Sequence, residues 1–216
     1  MGMTTRTDGA GPTEMVPATA KGEATRAFLL RTAARVFAER GYSGTALTDL
    51  IAASGLTKGA FYFYFNSKSA LALAVLRDQQ ERWLHQVRER VLSADTAIGQ
   101  FQALAPSMLD LLAAEPGAWS ITRLTKDMAA DPAMADAVSG PMAAWVDLIA
   151  DIVRRGQADG DLRPGIDPHH AAVVLVGAFD GLKMLTDVLN PGAQASEIFN
   201  QRAQVLLAMV ERGLLA

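Results

Sequence analysis

Apolar residues recur three and four positions apart along most of this 216-residue chain, a spacing that places them on one face of an α-helix. The first such stripe consists of Leu29, Leu30, Ala33, Ala34 and Phe37. No segment alternates apolar and polar residues as a half-buried strand would, and no internal repeat is evident. The pattern therefore predicts an all-α protein.

Composition narrows the class of protein further. Half of the residues are apolar and 20% are charged, which is typical of a globular chain with a substantial core. Cysteine is absent, so we expect neither disulfides nor thiolate metal sites, and a cytoplasmic location is predicted. The longest apolar stretch, 171–179, is too short to span a bilayer, so no membrane partner is expected. Residues 1–20 contain no hydrophobic signal region and are predicted to be a flexible arm.

Charge is distributed unevenly along the chain. Residues 1–90 contain twelve basic and eight acidic residues, a net charge of +4. Because the whole chain has a net charge of −3, the remainder has a net charge of −7. A basic first part suits a protein that presents one end to a polyanion. An uneven surface without functional meaning would explain the charges equally well.

Helix start and stop signals divide the chain into nine predicted helices. Thr45 is a good N-cap for the second helix, and Gly55 makes a tight turn before the third. Asp167 followed by Pro168 is a strong start signal near the C-terminal end. The predicted helices cover about 23–40, 45–53, 57–63, 66–91, 96–114, 117–128, 134–156, 168–189 and 195–214.

The most informative segment is 41–71, which predicts two short helices joined by a glycine turn and braced by the preceding helix. This is the helix-turn-helix arrangement, in which the second short helix enters the major groove of DNA. The residues expected to pack inward are Leu47, Leu50, Ile51, Leu56, Phe61 and Phe65. The outer face then consists of Thr57, Lys58, Gly59, Ala60 and Tyr62. Small residues there allow close approach to base edges, and the polar groups supply hydrogen bonds.

At this segment the sequence resembles the tetracycline-repressor-type (TetR) family of regulators. The resemblance spans about 50 residues, and its residues include Thr25-Arg26, Ala33-Ala34, Phe37, Gly41-Tyr42, Thr45, Asp49-Leu50, Gly55 to Gly59, Tyr62, Tyr64-Phe65, Ser67-Lys68 and Leu71. It implies a DNA-binding domain at 21–68, followed by a helical ligand-binding and dimerisation domain at 69–216.

The resemblance also implies which side chains lie at or near DNA. Together with the outer face, the predicted DNA-binding residues are Thr45, Thr48, Thr57, Lys58, Gly59, Ala60, Tyr62, Phe63 and Lys68. Lys68 is expected to contact a phosphate, whereas Lys58 could reach either a phosphate or a guanine edge. Phe63 has no polar atom where many relatives carry a polar residue, and Phe61 and Phe65 are assigned to packing.

The larger domain is expected to form a homodimer through its last two helices and to enclose a small-molecule effector. The predicted helix at 173–185 has apolar residues on nearly all of its faces. Its glycines, Gly177 and Gly181, permit another helix to approach closely, either within one chain or between two chains. The pocket candidates are Phe101, Leu104, Met108, Trp119, Leu124, Met128, Met142, Trp145, Phe179 and Met184. Plain core packing would explain the same stripe of Met and aromatic residues.

A narrower resemblance is to the γ-butyrolactone autoregulator receptors of actinomycetes. It is carried by the residues around Thr57 to Val75, by Arg123-Leu124-Thr125, by Pro141 ahead of Trp145, and by 176–179. It implies that Trp145 forms an aromatic wall of the ligand pocket. Met142 and Ala144 stand where that group commonly has tyrosine and aspartate. Regulators of efflux or catabolism are the alternative within the family, and repression relieved by ligand is the default direction.

Other classes of protein fit the sequence less well. The three histidines, His85, His169 and His170, do not form a metal-ligating pattern, and no catalytic or nucleotide-binding motif is present. We therefore predict no catalytic residues, no metal and no cofactor. An all-α enzyme and a ligand-free architectural helical module remain as rival hypotheses.

Overall fold

The computed structural model describes residues 19–114, 118–192 and 194–215. Within these ranges the regular structure is helical, apart from isolated bridge residues such as the antiparallel pair Leu162 and Leu215. The all-α prediction is confirmed. The helices are α1 (Ala20–Arg40), α2 (Leu47–Ser54), α3 (Lys58–Tyr64), α4 (Lys68–Leu92), α5 (Ala97–Ala114), α6 (Ala118–Ala129), α7 (Pro132–Asp159), α8 (Pro168–Leu189) and α9 (Ala195–Leu214).

Local capping explains where α3 and α4 begin. Thr57 precedes α3 and its side chain accepts a hydrogen bond from the Ala60 N–H at 3.2 Å. Ser67 does the same for α4, accepting from the Ala70 N–H at 3.0 Å. Between α2 and α3, Gly55 has a φ of 65°, a left-handed conformation that glycine adopts without steric cost.

The prediction that Thr45 caps α2 is wrong. The helix begins two residues later, and the Asp49 carboxylate accepts a hydrogen bond from the Ala46 N–H at 2.9 Å. The Thr45 hydroxyl instead donates to the Gly41 carbonyl at 2.7 Å. Thr45 therefore closes the turn after α1 from the inside.

The helix α4 connects the N-terminal helices to the bundle. Residues 70–76 are all buried, because α1 packs on this helix from one side and α5, α6 and α7 pack on it from the other. Beyond that stretch the buried positions are Gln80, Trp83, Val87 and Val91. One hydrophobic core thus continues from the first helices into the larger domain.

The last two helices have the predicted bounds. The Asp167 side chain accepts from the His170 N–H at 2.7 Å, and Pro168 occupies the first turn of α8, as the start signal indicated. The helix α8 packs on α7 and α9. No helix in the described ranges is sufficiently long and apolar to cross a membrane.

Candidate functional sites

The outer edge of α3 is a narrow, exposed surface held in place by buried aromatic rings. Phe61 and Phe65 are fully buried, which anchors the helix to the core. On the opposite side, Tyr62 is 41% exposed and Phe63 is 54% exposed. The residues at the start of the helix that are exposed or half-buried are Thr57, Lys58, Gly59 and Ala60. Small side chains at its N-terminal end leave the backbone accessible to a partner.

Two side chains on this edge, Lys58 and Tyr62, lie close to each other. The Lys58 Nζ lies 5.9 Å from the centroid of the Tyr62 ring, one helical turn further along. The Tyr62 hydroxyl and the Lys58 ammonium can therefore contact neighbouring groups on one partner. Thr48, on α2, is also exposed.

Two of the predicted DNA-binding side chains have structural contacts instead. Thr45 is only 1% exposed, so its side chain cannot reach DNA in this conformation, and that prediction is corrected. The Lys68 Nζ donates hydrogen bonds to the Tyr42 and Thr45 carbonyls, each at 3.0 Å, and lies 4.2 Å from the centroid of the Tyr42 ring. Lys68 thus ties α4 to the turn after α1, and only its third N–H is left for a phosphate.

A mainly apolar cavity of about 150 Å³ lies within the bundle. It is bounded by α4, α5, α6, α7, α8 and α9. Of the pocket candidates from the sequence, those that line it are Phe101, Leu104, Met108, Met142, Trp145 and Phe179. The Met and aromatic residues predicted from the sequence therefore divide between the cavity wall and the hydrophobic core. Pocket lining and core packing were the two interpretations that the sequence left open.

Three pocket candidates do not line this cavity. Leu124 and Met128 are buried in the core on α6, where they fill space between helices. Met184 is half exposed and lies on the outside of α8. The side chain of Trp119 lies outside the described part of the chain.

The cavity also has polar groups that the sequence analysis did not identify. Gln80 on α4, Thr125 on α6 and Asp180 on α8 all line it. Burial raises the pKa of Asp180, and the Lys126 ammonium opposes that rise. A glutamine on the inward face of α4 and an aspartate within the apolar run of α8 were the available signals, because each breaks an otherwise apolar helix face.

An apolar surface remains uncovered on α8 and α9. Its large exposed side chains are Val173, Val174, Met184, Leu185, Val188 and Leu189 on α8, with Val205 and Met209 on α9. Gly177 and Gly181 lie on the same helix, and a Cβ added to either would have nothing within 4 Å. Packing within one chain therefore does not require these glycines.

The helix α6 connects the cavity to the N-terminal helices. Thr125 lines the cavity, and two residues later the Asp127 carboxylate accepts a hydrogen bond from the Tyr42 N–H at 3.3 Å. On the same helix the Arg123 guanidinium lies beside Gly41. Cavity wall and interdomain contact thus share one short helix.

Histidine and acidic side chains in the described ranges are the remaining candidates for metal ligation. No group of three or more His, Asp or Glu side chains there could hold a metal ion. His169 and His170 have ring centroids 6.4 Å apart at the start of α8.

Family comparison gives two matches along the chain. Residues 29–75 match the model described as bacterial regulatory proteins of the tetR family. Residues 127–201 match the model described as the tetracyclin repressor-like C-terminal domain.

Individual relatives share 29–30% of their aligned residues with this chain. The A-factor receptor protein of Streptomyces griseus is 29% identical over 157 residues, 72% of this chain and about half (52%) of the receptor's length. The transcriptional repressor KstR2 of Mycolicibacterium smegmatis is 30% identical over 142 residues, covering 64% of this chain and 68% of KstR2. A solved structure described as the molecular basis for control of antibiotic production by bacterial hormones is 29% identical, with a TM-score of 0.71, and the match covers 89% of this chain and 98% of that one.

Proposed function

The chain belongs to the TetR family of bacterial regulatory proteins, and on this premise we propose that it binds a pseudo-palindromic operator as a homodimer and releases it when a small effector enters the bundle. Members of this family are ligand-responsive transcriptional regulators and not enzymes. They bind operators and effectors, generally as dimers. The proposal concerns which residues of this chain perform each step.

The exposed edge of α3 is the observation that carries the DNA-binding proposal. The bulky rings of Phe61 and Phe65 point inward, while Thr57, Lys58 and Tyr62 remain outside. A slender helix edge of this kind fits the major groove, where hydroxyl and ammonium groups bind phosphates and base edges. Thr48 on α2 would add a contact to the DNA backbone, and Phe63 an apolar contact.

Dimerisation through α8 and α9 is supported by the uncovered apolar surface there. Large exposed apolar patches commonly mark interfaces between proteins. Gly177 and Gly181 would allow two copies of α8 to approach closely at this surface. Two recognition helices on one face of DNA would then reach half-sites about 34–36 Å apart, or a multiple of one helical turn.

The effector is proposed to be a small, largely apolar signalling molecule of the γ-butyrolactone type. Support comes from the similarity to the A-factor receptor and from Trp145, which lines the cavity. Aromatic and Met side chains form adaptable apolar walls. The similar identity to KstR2 keeps a regulator of another ligand class, such as catabolism control, as the alternative.

Coupling between the two sites would use α4 and α6. Gln80 and Trp83 on α4 line the cavity, and Lys68 at its start holds the turn after α1. A ligand that shifts these helices would change the spacing of the two DNA-binding domains. A typical coupling of about 1–3 kcal/mol would then suffice to weaken operator binding.

The test is fluorescence anisotropy with DNA from upstream of the protein's own reading frame. We expect specific binding to an inverted repeat, and a loss of at least tenfold in affinity for the double variant Lys58→Ala, Tyr62→Ala. The matched control, Arg31→Ala at an exposed position of α1, should bind nearly as tightly. Binding that is equal for unrelated DNA, or unaffected in the double variant, would contradict the proposal. A synthetic alkyl γ-butyrolactone added to the complex tests the effector class.

A further inference from the structure

The cavity wall carries three polar side chains in an otherwise apolar and aromatic lining, namely Thr125 and two acceptor-bearing residues on different helices. Gln80 comes from α4 and Asp180 from α8. The aromatic part of the wall is formed by Trp83, Phe101, Trp145 and Phe179. Such a lining fits a ligand with an apolar body and one polar end.

Gln80 has an unsatisfied acceptor at this wall. The residue is only 6% exposed, and its Oε1 has no hydrogen-bond partner in the described part of the chain. A buried acceptor without a partner lowers stability, and native structures contain few of them. A ligand that donates a hydrogen bond to Oε1 would remove this cost.

Asp180 supplies a second acceptor. No ion pair or hydrogen bond of its side chain is seen among the described residues, and burial raises the pKa of the carboxyl group while Lys126 opposes the rise. The carboxylate therefore lacks the close partner that would compensate for its desolvation. A donor from a ligand would favour the ionised form.

We propose that the effector carries a hydrogen-bond-donating head group while its apolar body packs against the aromatic wall. A protonated amine would donate to both the Gln80 Oε1 and the Asp180 carboxylate, and a hydroxyl would donate to one of them. The inference rests on the proposed function, because it assumes that this cavity is the effector site. It narrows the effector class to amphiphilic alcohols, including hydroxylated lactones, and alkyl amines.

The experiment compares four probes of nearly equal size on the full-length protein. These are 1-octanol, octylammonium, octanoate and 1-methoxyheptane, of which only the first two donate a hydrogen bond at neutral pH. Binding is measured by calorimetry and by fluorescence of Trp83 and Trp145. We expect at least one donor probe to bind tenfold or more tightly than 1-methoxyheptane and octanoate. Tighter binding of octylammonium than of octanol would identify a charged head group, and the reverse order a hydroxyl.

Variants assign the preference to the two residues. Gln80→Leu and Asp180→Leu should each reduce affinity about tenfold if octylammonium is the preferred donor, and only the variant that removes the accepting group should do so for 1-octanol. Both variants should leave the affinity for 1-methoxyheptane nearly unchanged. The matched controls, Gln86→Leu and Asp147→Leu, alter exposed residues outside the cavity and should bind like wild type. Equal binding of donor and non-donor probes, no binding of any probe, or a preference that survives both variants would each overturn the inference.

Operator binding in the same samples separates this inference from the proposed function. If the probes release DNA regardless of their head group, the head-group inference is wrong and the effector-responsive function stands. If donor probes bind selectively but DNA is retained, the head-group inference stands and the proposed response to ligand is wrong.

Discussion

The Asp127 carboxylate on α6 accepts a hydrogen bond from the backbone N–H of Tyr42, with the two atoms 3.3 Å apart. This contact joins the larger domain to the turn that follows α1. The carbonyl of the same Tyr42 accepts from the Lys68 Nζ at the start of α4. One residue of the turn is thus held by two of the helices that line the cavity, α4 and α6, so we expect movement of either helix to reach the DNA-binding helices.

Replacing Asp127 should therefore reduce the coupling between effector and operator. We expect Asp127→Ala to bind the operator within about threefold of wild type, because no DNA-facing residue is altered. The fold-change in operator affinity caused by effector should decrease about fivefold, which corresponds to roughly 1 kcal/mol of coupling free energy. Anisotropy titrations with and without effector measure both quantities.

The control for this variant is Asp136→Ala, since Asp136 is an exposed aspartate on α7 outside the contact. It should show the wild-type response to effector. An unchanged response in Asp127→Ala would show that the Tyr42 contact does not transmit the signal.

Lys58 and Lys68 should differ in what they contribute. Lys68→Met removes two hydrogen bonds from an ammonium, so we expect the free energy of unfolding to decrease by on the order of 2 kcal/mol. Lys58→Met should leave the free energy of unfolding unchanged. It should reduce the slope of log operator affinity against log salt concentration by about one to two, because each phosphate contact releases about one counterion. Denaturant unfolding and salt titrations of anisotropy distinguish the two. The same effect from both variants would refute this division of roles.

Gly181 offers a test of the dimer surface. Gly181→Leu should weaken dimerisation at least tenfold, although leucine favours helix more than glycine does, because the added side chain would separate two closely packed copies of α8. Sedimentation equilibrium measures the dissociation constant. The matched control is Gly140→Leu on α7, where an added Cβ also meets nothing within 4 Å. If the two variants dimerise equally well, α8 does not cross its partner at Gly181.

Asp180 should make stability depend on pH. Burial raises the pKa of this carboxyl group in the folded protein above its ordinary value of 3.8, so the folded state binds the proton more tightly than the unfolded state. The contribution of Asp180 to stability is therefore greatest below pH 3.8 and decreases as the pH rises through the pKa that its carboxyl group has in the folded protein. Asp180→Asn should remove this decrease and raise the melting temperature of the ligand-free protein at pH 7. Thermal melts from pH 4 to pH 8 measure this pH dependence, with Asp147→Asn as the control. An Asp180→Asn variant that is less stable than wild type at pH 7 would contradict the prediction.

Helix positions followed from local chemistry, and so they could be predicted closely. Asp167 and Pro168 marked the start of α8, and its bounds match the prediction. Thr45 shows where such reasoning fails. Its hydroxyl suits an N-cap, but it donates instead to the Gly41 carbonyl, because the turn after α1 brings that carbonyl within 2.7 Å of it. The family resemblance predicts a phosphate contact for Lys68, but carbonyls distant in sequence occupy two of its three donors.

Local sequence patterns predict the helices, the helix-turn-helix segment and the inward rings of Phe61 and Phe65, because periodicity, capping and glycine turns act over a few residues. The packing of the helices settles which Met and aromatic side chains border a cavity and which fill the core. It alone placed Gln80 and Asp180 on that cavity and Asp127 against Tyr42, since such contacts join segments distant along the chain and depend on how the helices pack.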